Sequence, residues 1–453
     1  MEDSMTVESP FPGLSPASAL RITTALIVLF LVAGATGAWD ADLDLTYHSG
    51  GTSWAGFLGG VGNSESAVAV AVQTNGKVVM AGSRDDGSSL DFAVIRLGLD
   101  GFPDYTFGTG ATAYHDFDSA TDTARDVAIQ PDGKIVVVGT ATVGGVKHMG
   151  VVRFNHDGSL DGSATVPFSG PAYGLGVALQ PDGKIVVCGR NDYGNGWDFA
   201  LARLNPNLTI DTTFSSDGMA EWDFGEGDDS AADIAVRADG RIVVAGTAIW
   251  SGQSVFGLMV FSATGGPMNL GVATFTEDAY GFALDLQADG KAVVAGRCET
   301  YGGDFAVARF NTNATIDSSF GTGGMATVSH LATEQESAMD VVVQHNGKIV
   351  VSGFLEEGGQ QYLALVRWKS DGTLDWTFDG STAFYTYIDV FAGYDSRGYS
   401  ICQQPDGKIL AAGHTGSASG QLLAVARFMG DEDLIFAEDF QIGTTNWWSW
   451  TVP

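Results

Sequence analysis

The stretch QPDGKIVVVGT, which begins at Gln130, returns six more times with small changes, starting at Gln73, Gln180, Arg237, Gln287, Gln344 and Gln404. Each copy joins two short, β-branched-rich runs of period two, such as DVAIQ and KIVVVGT, through Pro-Asp-Gly or a close variant. Proline presets φ at the second turn position, Asp tolerates the third, and Gly accepts the positive φ that re-enters a hairpin. A third strand follows, as in FAVARF (Phe305 to Phe310), and a fourth comes after a glycine, as in GMATV (Gly324 to Val328). Four strands in about 50 residues make one propeller blade. Seven copies therefore predict an all-β, seven-bladed β-propeller with four-stranded blades, spanning residues 39–429.

The spacing is as regular as the wording. From each turn glycine (Gly76, Gly133, Gly183, Gly240, Gly290, Gly347, Gly407) to the last-but-one residue of the third strand, the separation is 20 residues, and once 19. The units following Arg153 and Val260 lack the Thr-Phe-Gly-like element found at Thr106, Thr213 and Ser319. The intervals Gly76 to Gly183 to Gly290 and Gly133 to Gly240 to Gly347 are all 107 residues, as duplication of a two-blade pair would leave them.

The two ends of the array complement each other. LDLTYHSGG, from Leu43, matches IDTTFSSDG from Ile210 and IDSSFGTGG from Ile316, which lead into fourth strands. The last unit stops after its third strand, at Phe428. A linear solenoid would need polar caps at both ends, whereas a closed ring removes its open edges. The final blade is therefore expected to combine one N-terminal strand with three C-terminal strands.

A charge pattern supports the same closure. Eight residues after the third-strand Arg comes an Asp: Arg96 and Asp104, Arg153 and Asp161, Arg203 and Asp211, Arg309 and Asp317, Arg367 and Asp375. The unit with Val260 in place of Arg has Met268 in place of Asp, as expected of ion pairs in which neither partner is tolerated alone. Arg427 has Ile435 eight residues on, but Asp44 occupies the matching place in the N-terminal fragment, so a sequence-remote Arg427–Asp44 pair is expected.

Composition sets the outer limits. The net charge of -32 argues against nucleic acid and against an anionic membrane surface, both of which are bound by Lys and Arg. Third-strand Arg residues and turn cations account for 13 of the 22 basic residues, which leaves too few for a basic groove. Residues 1–38 read as an export signal: Arg21 precedes the apolar run ALIVLFLVAGA, and small residues at Ala35 and Ala38 offer cleavage sites. Glu2, Asp3 and Glu8 depart from that pattern and leave a misplaced start or an uncleaved anchor as alternatives. A secreted or cell-surface protein with no membrane span in the mature chain is the expectation. Cys188, Cys298 and Cys402 fall in different repeats without metal-ligand spacing and read as buried free thiols.

The units DGKIVVxG followed by FAVARFNxxxxxDxTFGxxG resemble the delta-60 repeats of bacterial secreted and surface proteins, over about Leu43 to Phe428. That resemblance implies a propeller scaffold and brings no catalytic residues with it. IFAEDFQIGTTNWWSW, within the tail 430–453, is similar to a short segment that ends various secreted bacterial proteins, a sorting or docking piece.

Three sets of residues stand out as candidate sites. Asp126, Asp233 and Asp340 occupy one position of the first strand in alternate blades, where they would face a common axis and hold a hydrated cation such as calcium. The competing role is bonding to nearby backbone amides. Tyr173 and Tyr280 occupy equivalent places before the first strand and offer a sugar-stacking platform or packing beneath a loop. The acidic stretches GEGDDS (Gly225 to Ser230) and GDEDLIFAED (Gly430 to Asp439) lack EF-hand spacing and read as solvated loops. Tyr47, Phe107, Phe214, Phe320 and Phe378 recur too regularly for a site and read as core.

No HExxH pair, nucleophile elbow or P-loop is present. The expectation is a monomeric, exported, non-catalytic scaffold without a cofactor, which meets a protein or glycan at the channel mouth or variable loops. The alternatives are an extracellular propeller enzyme acting on polysaccharide or another polymer, and a calcium-stabilised adhesin. One asymmetric cleft with unique His, Tyr and carboxylates would favour the enzyme, and a symmetric acidic channel the scaffold.

Overall fold

The computed structural model describes residues 43–430, apart from 49, 56–65, 193, 195, 226, 300–302, 331–333, 379–384, 391–393 and 418–419. The predicted export signal and, but for Gly430, the C-terminal tail lie outside the described residues. Seven four-stranded antiparallel sheets form the seven blades of a β-propeller, in agreement with the repeat count. Blade 2 is typical, with strands Thr123–Ile129, Ile135–Val143, Val146–Phe154 and Leu160–Val166 paired in chain order. None of the described helices is long and apolar enough to cross a membrane.

The repeated turn does what its residues dictate. The Gly133 amide donates to the Gln130 carbonyl at 2.8 Å, and the Gln130 amide to the Lys134 carbonyl at 2.8 Å. All seven turn glycines take positive φ, between 79 and 86°. Apolar clusters fill the seams between neighbouring blades. Val79, Ala81, Phe92 and Val94 of blade 1, for example, pack with Ala124, Val127, Ile135 and Val137 of blade 2.

Blade 7 consists of Ser396–Gln403, Ile409–Ser417 and Gly420–Phe428, completed by Thr52–Ala55 from the start of the chain. The register runs from Thr52 opposite Ala426 to Ala55 opposite Leu423. Leu43 bridges Phe428, and the Asp44 amide donates to the Arg427 carbonyl at 2.7 Å. The predicted closing strand is therefore the outermost strand of the last blade.

At the turn end of the innermost strands, six blades carry the same ionic cluster. Arg96 Nε and Lys77 Nζ both lie 2.7 Å from Asp104 Oδ2. Burial pushes the Asp104 carboxyl up, but hydrogen bonds from Lys77 and Thr106 and the Arg96 charge hold it well below the usual carboxylate range. Equivalent Arg–Asp contacts are 2.6 Å for Arg153–Asp161, 2.8 Å for Arg203–Asp211, 2.8 Å for Arg309–Asp317 and 2.9 Å for Arg367–Asp375. Arg427 NH2 lies 2.8 Å from Asp44 Oδ2, with Lys408 Nζ at 2.7 Å.

The guanidinium also covers the recurrent aromatic ring beneath it, as with Arg96 over Phe107 at 4.6 Å and Arg427 over Tyr47 at 4.2 Å. It then reaches the next blade: Arg96 donates to the His156 carbonyl, Arg203 to the Ala263 carbonyl and Arg427 to the Leu99 carbonyl. Blade 4 lacks the pair but keeps this clamp by another route. Arg237, at the end of its innermost strand, donates from NH1 to the Thr312 carbonyl of blade 5 at 2.6 Å.

Candidate binding site at the channel mouth

The innermost strand of every blade contains a β-bulge at the same place. The register skips one residue between Ala67 and Ala69, Ala124 and Asp126, Gly174 and Gly176, and Ala231 and Asp233. It does so again between Gly281 and Ala283, Ala338 and Asp340, and Gly398 and Ser400. A bulge leaves the extra residue out of the ladder and re-aims its side chain. Those extra residues are Val68, Arg125, Leu175, Ala232, Phe282, Met339 and Tyr399, seven different residue types.

The bulge explains the glycine of the DGKIVVxG motif. A Cβ at Gly139 would lie 2.0 Å from the Thr123 carbonyl oxygen, and one at Gly189 would lie 1.8 Å from that of Tyr173. The backbone of the innermost strand leans onto the second strand there, so only glycine fits. A conserved-looking glycine inside a strand was the available sequence signal for a bulge, and with it for the side chains the bulge presents.

All seven bulge residues line one cavity of about 960 Å³ at the start end of the innermost strands. Arg190, Arg397, Tyr280, Tyr394, Gln361 and His414 line it as well, with Asp228 and Asp395 among the acidic residues at its wall. Arg125 forms no ion pair or hydrogen bond among the described residues. Arg125 is exposed to the channel, yet the walls around it lower its pKa by partial desolvation, a shift that Tyr399 opposes and the Arg190 charge adds to. Arg190 stands over Tyr173 at 5.0 Å and over Trp197 at 4.7 Å, while its buried Nε has no hydrogen-bond partner among the described residues. Arg397 donates from Nε to Gln361 Oε1 and covers the Phe354 ring at 4.8 Å. His414 packs on Tyr399 with ring centroids 5.2 Å apart, and burial followed by the Arg397 charge lowers its pKa to about 4.

The three predicted channel carboxylates sit one residue beyond the bulge and each accepts two backbone amides, while burial and then the Asp126 and Asp340 charges raise Asp233 well above its ordinary value. Asp126 accepts from the Val127 amide at 2.7 Å through Oδ1 and from the Val177 amide of blade 3 at 2.7 Å through Oδ2. Asp233 accepts in the same way from Ile234 and Leu284, and Asp340 from Val341 and Ile401, all at 2.7 Å. These are blade-to-blade staples, the backbone-bonding alternative. Asp285, not singled out from sequence, does the same two residues along its strand from the equivalent Ala283, between Leu286 and Val343. Burial pushes Asp126 and Asp285 up to about 6 and Asp340 up to about 7, against the pull of their amide donors.

Tyr280 lines the cavity, with Arg297 over its ring at 5.1 Å. Tyr173 stands beside it under Arg190 and Lys147, whose Nζ lies 4.8 Å from the ring centroid. The stretch GEGDDS contributes Asp229, which clusters with Asp198 and Asp223, their carboxylate oxygens lying within 4.8 Å of one another. Both Asp229 oxygens already accept backbone amides, from Phe224 at 2.8 Å and Ile249 at 2.8 Å. Cys188 and Cys298 are buried and Cys402 is half-buried, and no disulfide joins them.

The mouth is thus asymmetric, and the repeating carboxylates take the backbone-bonding role that is the alternative to a cation site. The staples use up the repeating carboxylates, and unlike residues fill the bulges. Nine basic residues fall outside the turn-end positions, and five of them, Arg125, Lys147, Arg190, Arg297 and Arg397, line this mouth or cover its Tyr rings. Few cations were left over, but they are concentrated in one place.

Residues 73–107, 130–163, 180–214, 287–320, 344–378 and 404–431 match the family model described as a domain of unknown function (DUF5122) beta-propeller. The six matched segments leave out the unit that carries Val260 and Met268. No curated protein sequence matches the chain. Among solved structures it is similar to the polysaccharide lyase Uly1, at 11% identity over 84% of this chain and 92% of that one, with a TM-score of 0.48. It is also similar to a PL25 ulvan lyase at 12% identity, over 83% and 96% of the two chains, with a TM-score of 0.47. Sqt1 from Chaetomium thermophilum is similar at 12% identity, over 86% and 98%, with a TM-score of 0.43.

Proposed function

We propose that the protein is an exported, non-catalytic binding propeller whose ligand seats at the channel mouth. The ring of bulges carries this reading. One backbone device recurs in all seven blades and holds seven unlike side chains at the edge of a cavity of about 960 Å³. Bulges are over-represented where a side chain must be re-aimed, and a volume of this size suits a small-molecule or oligosaccharide site. Export rests on the signal-like residues 1–38, and the wording of the repeats supports membership of the delta-60 group.

Screening the purified protein against glycan and protein panels tests the reading, with Phe282→Ala, Met339→Ser and Tyr399→Ala as variants. Binding that falls in these variants while thermal stability is kept supports it. Hits that survive all three substitutions unchanged overturn it.

A second reading, an enzyme acting on polysaccharide, is the one that an asymmetric cleft with unique His and Tyr favours. The binding reading stands first because the carboxylates at the wall, Asp228 and Asp395, each accept a backbone amide. His414, held neutral at pH 7 by burial, contacts Tyr399 in the same cavity as Arg125 and Arg397, so a base, a phenol and cations converge. Sustained release of oligosaccharide that His414→Ala abolishes would replace the scaffold by the enzyme.

A further inference from the structure

The chain is acidic overall, yet basic residues without carboxylate partners collect at this mouth. Its net charge is -32, but three arginines line one cavity and none forms an ion pair among the described residues. Arg397 bonds the neutral Gln361, which leaves Arg125 and Arg190. An arginine without a carboxylate partner in a protein with 54 acidic residues is not short of candidates. Asp228 and Asp395 stand at the same cavity wall and are engaged elsewhere, Asp228 with the Trp197 amide at 3.1 Å and Asp395 with the Gln361 amide at 3.0 Å. The Arg125 and Arg190 charges repel each other, and the protein spends nothing of its own to neutralise them. Such a pair, one member exposed and the other half-buried at the channel, is free to take its anion from a ligand.

The rest of the lining describes the remainder of that ligand. Tyr280, Tyr394, Tyr399 and Phe282 offer ring faces, and Gln361, Ser230 and Thr247 offer neutral hydrogen-bonding groups. A pyranose ring has this dual character, apolar C–H faces with a rim of hydroxyls, and aromatic side chains with polar neighbours fit it. The strongly negative remainder of the protein repels a polyanion at long range, so the ligand carries its charge on one group delivered into the recess. A guanidinium fork matches a planar carboxylate in bidentate geometry.

We propose that the mouth is a receptor for a carboxylate-bearing sugar, the hexuronate end of a glycan, with Arg125 and Arg190 holding the carboxylate and Tyr280 and Tyr399 framing the ring. This rests on the reading of the mouth as the binding site and adds the ligand's chemical class.

The test titrates the full chain, by calorimetry at pH 7, with a glucuronate-terminated disaccharide, its neutral glucose-terminated counterpart and a peptide ending in Glu. The uronate probe should bind at least about 10-fold tighter than the neutral one. Arg125→Gln and Arg190→Gln should each weaken the uronate about 10- to 100-fold and leave the neutral sugar unchanged. Melting temperatures of both variants serve as the folding control, because neither side chain anchors another element by a hydrogen bond or ion pair among the described residues. Equal binding of the two disaccharides, indifference to both substitutions, or equal or tighter binding of the peptide overturns the proposal. Neutral sugar bound and then lost in Tyr399→Ala would overturn the anion assignment alone, leaving the mouth as the binding site. No binding of the uronate probe overturns the assignment as well.

Discussion

At the turn end of the innermost strands, an Arg, an Asp and a Lys meet in the same geometry in six blades. At the start end of those same strands, a bulge holds a different side chain in every blade. The two ends differ in how their charges are balanced. The turn-end arginines are buried and paired with carboxylate, and five of the six stack on an aromatic ring, while Arg125 at the mouth has no anion among the described residues. Buried ion pairs that each blade repeats serve the seam between blades. Unpaired, unlike residues at the mouth are what the proposed ligand would meet. In a repeat protein, identity across units marks what holds the units together, and departure at one register position marks what the ring is for.

The comparison breaks first if the ring does not depend on its repeated parts. The chain from 39 should melt more than about 10 °C higher than the chain from 56, or the shorter one should aggregate, because the cut opens an edge and removes Tyr47, uncovering Val78, Met80 and Leu423 against which it packs. Equal melting temperatures in a calorimetric scan would deny that Thr52–Ala55 holds the ring shut. Next in size is Asp375→Ala. It strands Arg367, which is 0% exposed, beside a carboxylate position itself only 1% exposed. A loss of about 3–5 kcal/mol in urea unfolding is expected, much of it recovered by the double replacement Arg367→Val with Asp375→Met, the combination that blade 4 carries at Val260 and Met268. Asp161→Ala, at a more exposed pair, should cost less.

How far these ends were legible in the sequence follows from the same contrast. Repetition exposed the blades, the turns, the closing strand and the Arg–Asp spacing, including Asp44 with Arg427 across 383 positions of chain. It could not expose the mouth, where one register position carries seven residue types and only the neighbouring glycine is constant. It also misdirected attention by one residue: Asp126, Asp233 and Asp340 repeat, and so look like a site, because they are staples. Blade 4 shows the limit from the other side. The loss of Arg at Val260 reads as a lost clamp, but Arg237 replaces the glutamine found at that position in the other six blades and reaches the same carbonyl position of the next blade. Two changes far apart in sequence compensate through one contact that only coordinates reveal. Arg237→Gln should therefore cost about 1.5–3 kcal/mol, and adding Val260→Arg with Met268→Asp should restore most of it. An Arg237→Gln variant as stable as the parent in urea would show that blade 4 dispenses with the clamp.

The smallest expected effect separates the two ends by pH. Turn-end carboxylates such as Asp104, Asp211 and Asp317 are held well below the ordinary range, since hydrogen bonds from Lys and Thr or Ser outweigh the burial that raises them. The unfolded chain takes up protons from about pH 4 downward while the folded clusters resist, so this contribution is intact above about pH 4 and is lost below it. The staples have the opposite sign. Asp126 and Asp285 hold their protons to about 6 and Asp340 to about 7, whereas the unfolded carboxyls release theirs near 4. Between those values the folded state binds more protons, and stability falls as pH rises through the window, then levels off. Melting temperature should peak at about pH 4–5 and decline toward pH 8. Asp285→Ala introduces the residue that blades 1 to 4 carry at that position, as Ala71, Ala128, Ala178 and Ala235, and should flatten the neutral limb without altering the acid limb. A melting temperature that climbs from pH 5 to 8 would mean that the amide donors outweigh burial at the staples, and that both ends of the strands obey the same electrostatics after all.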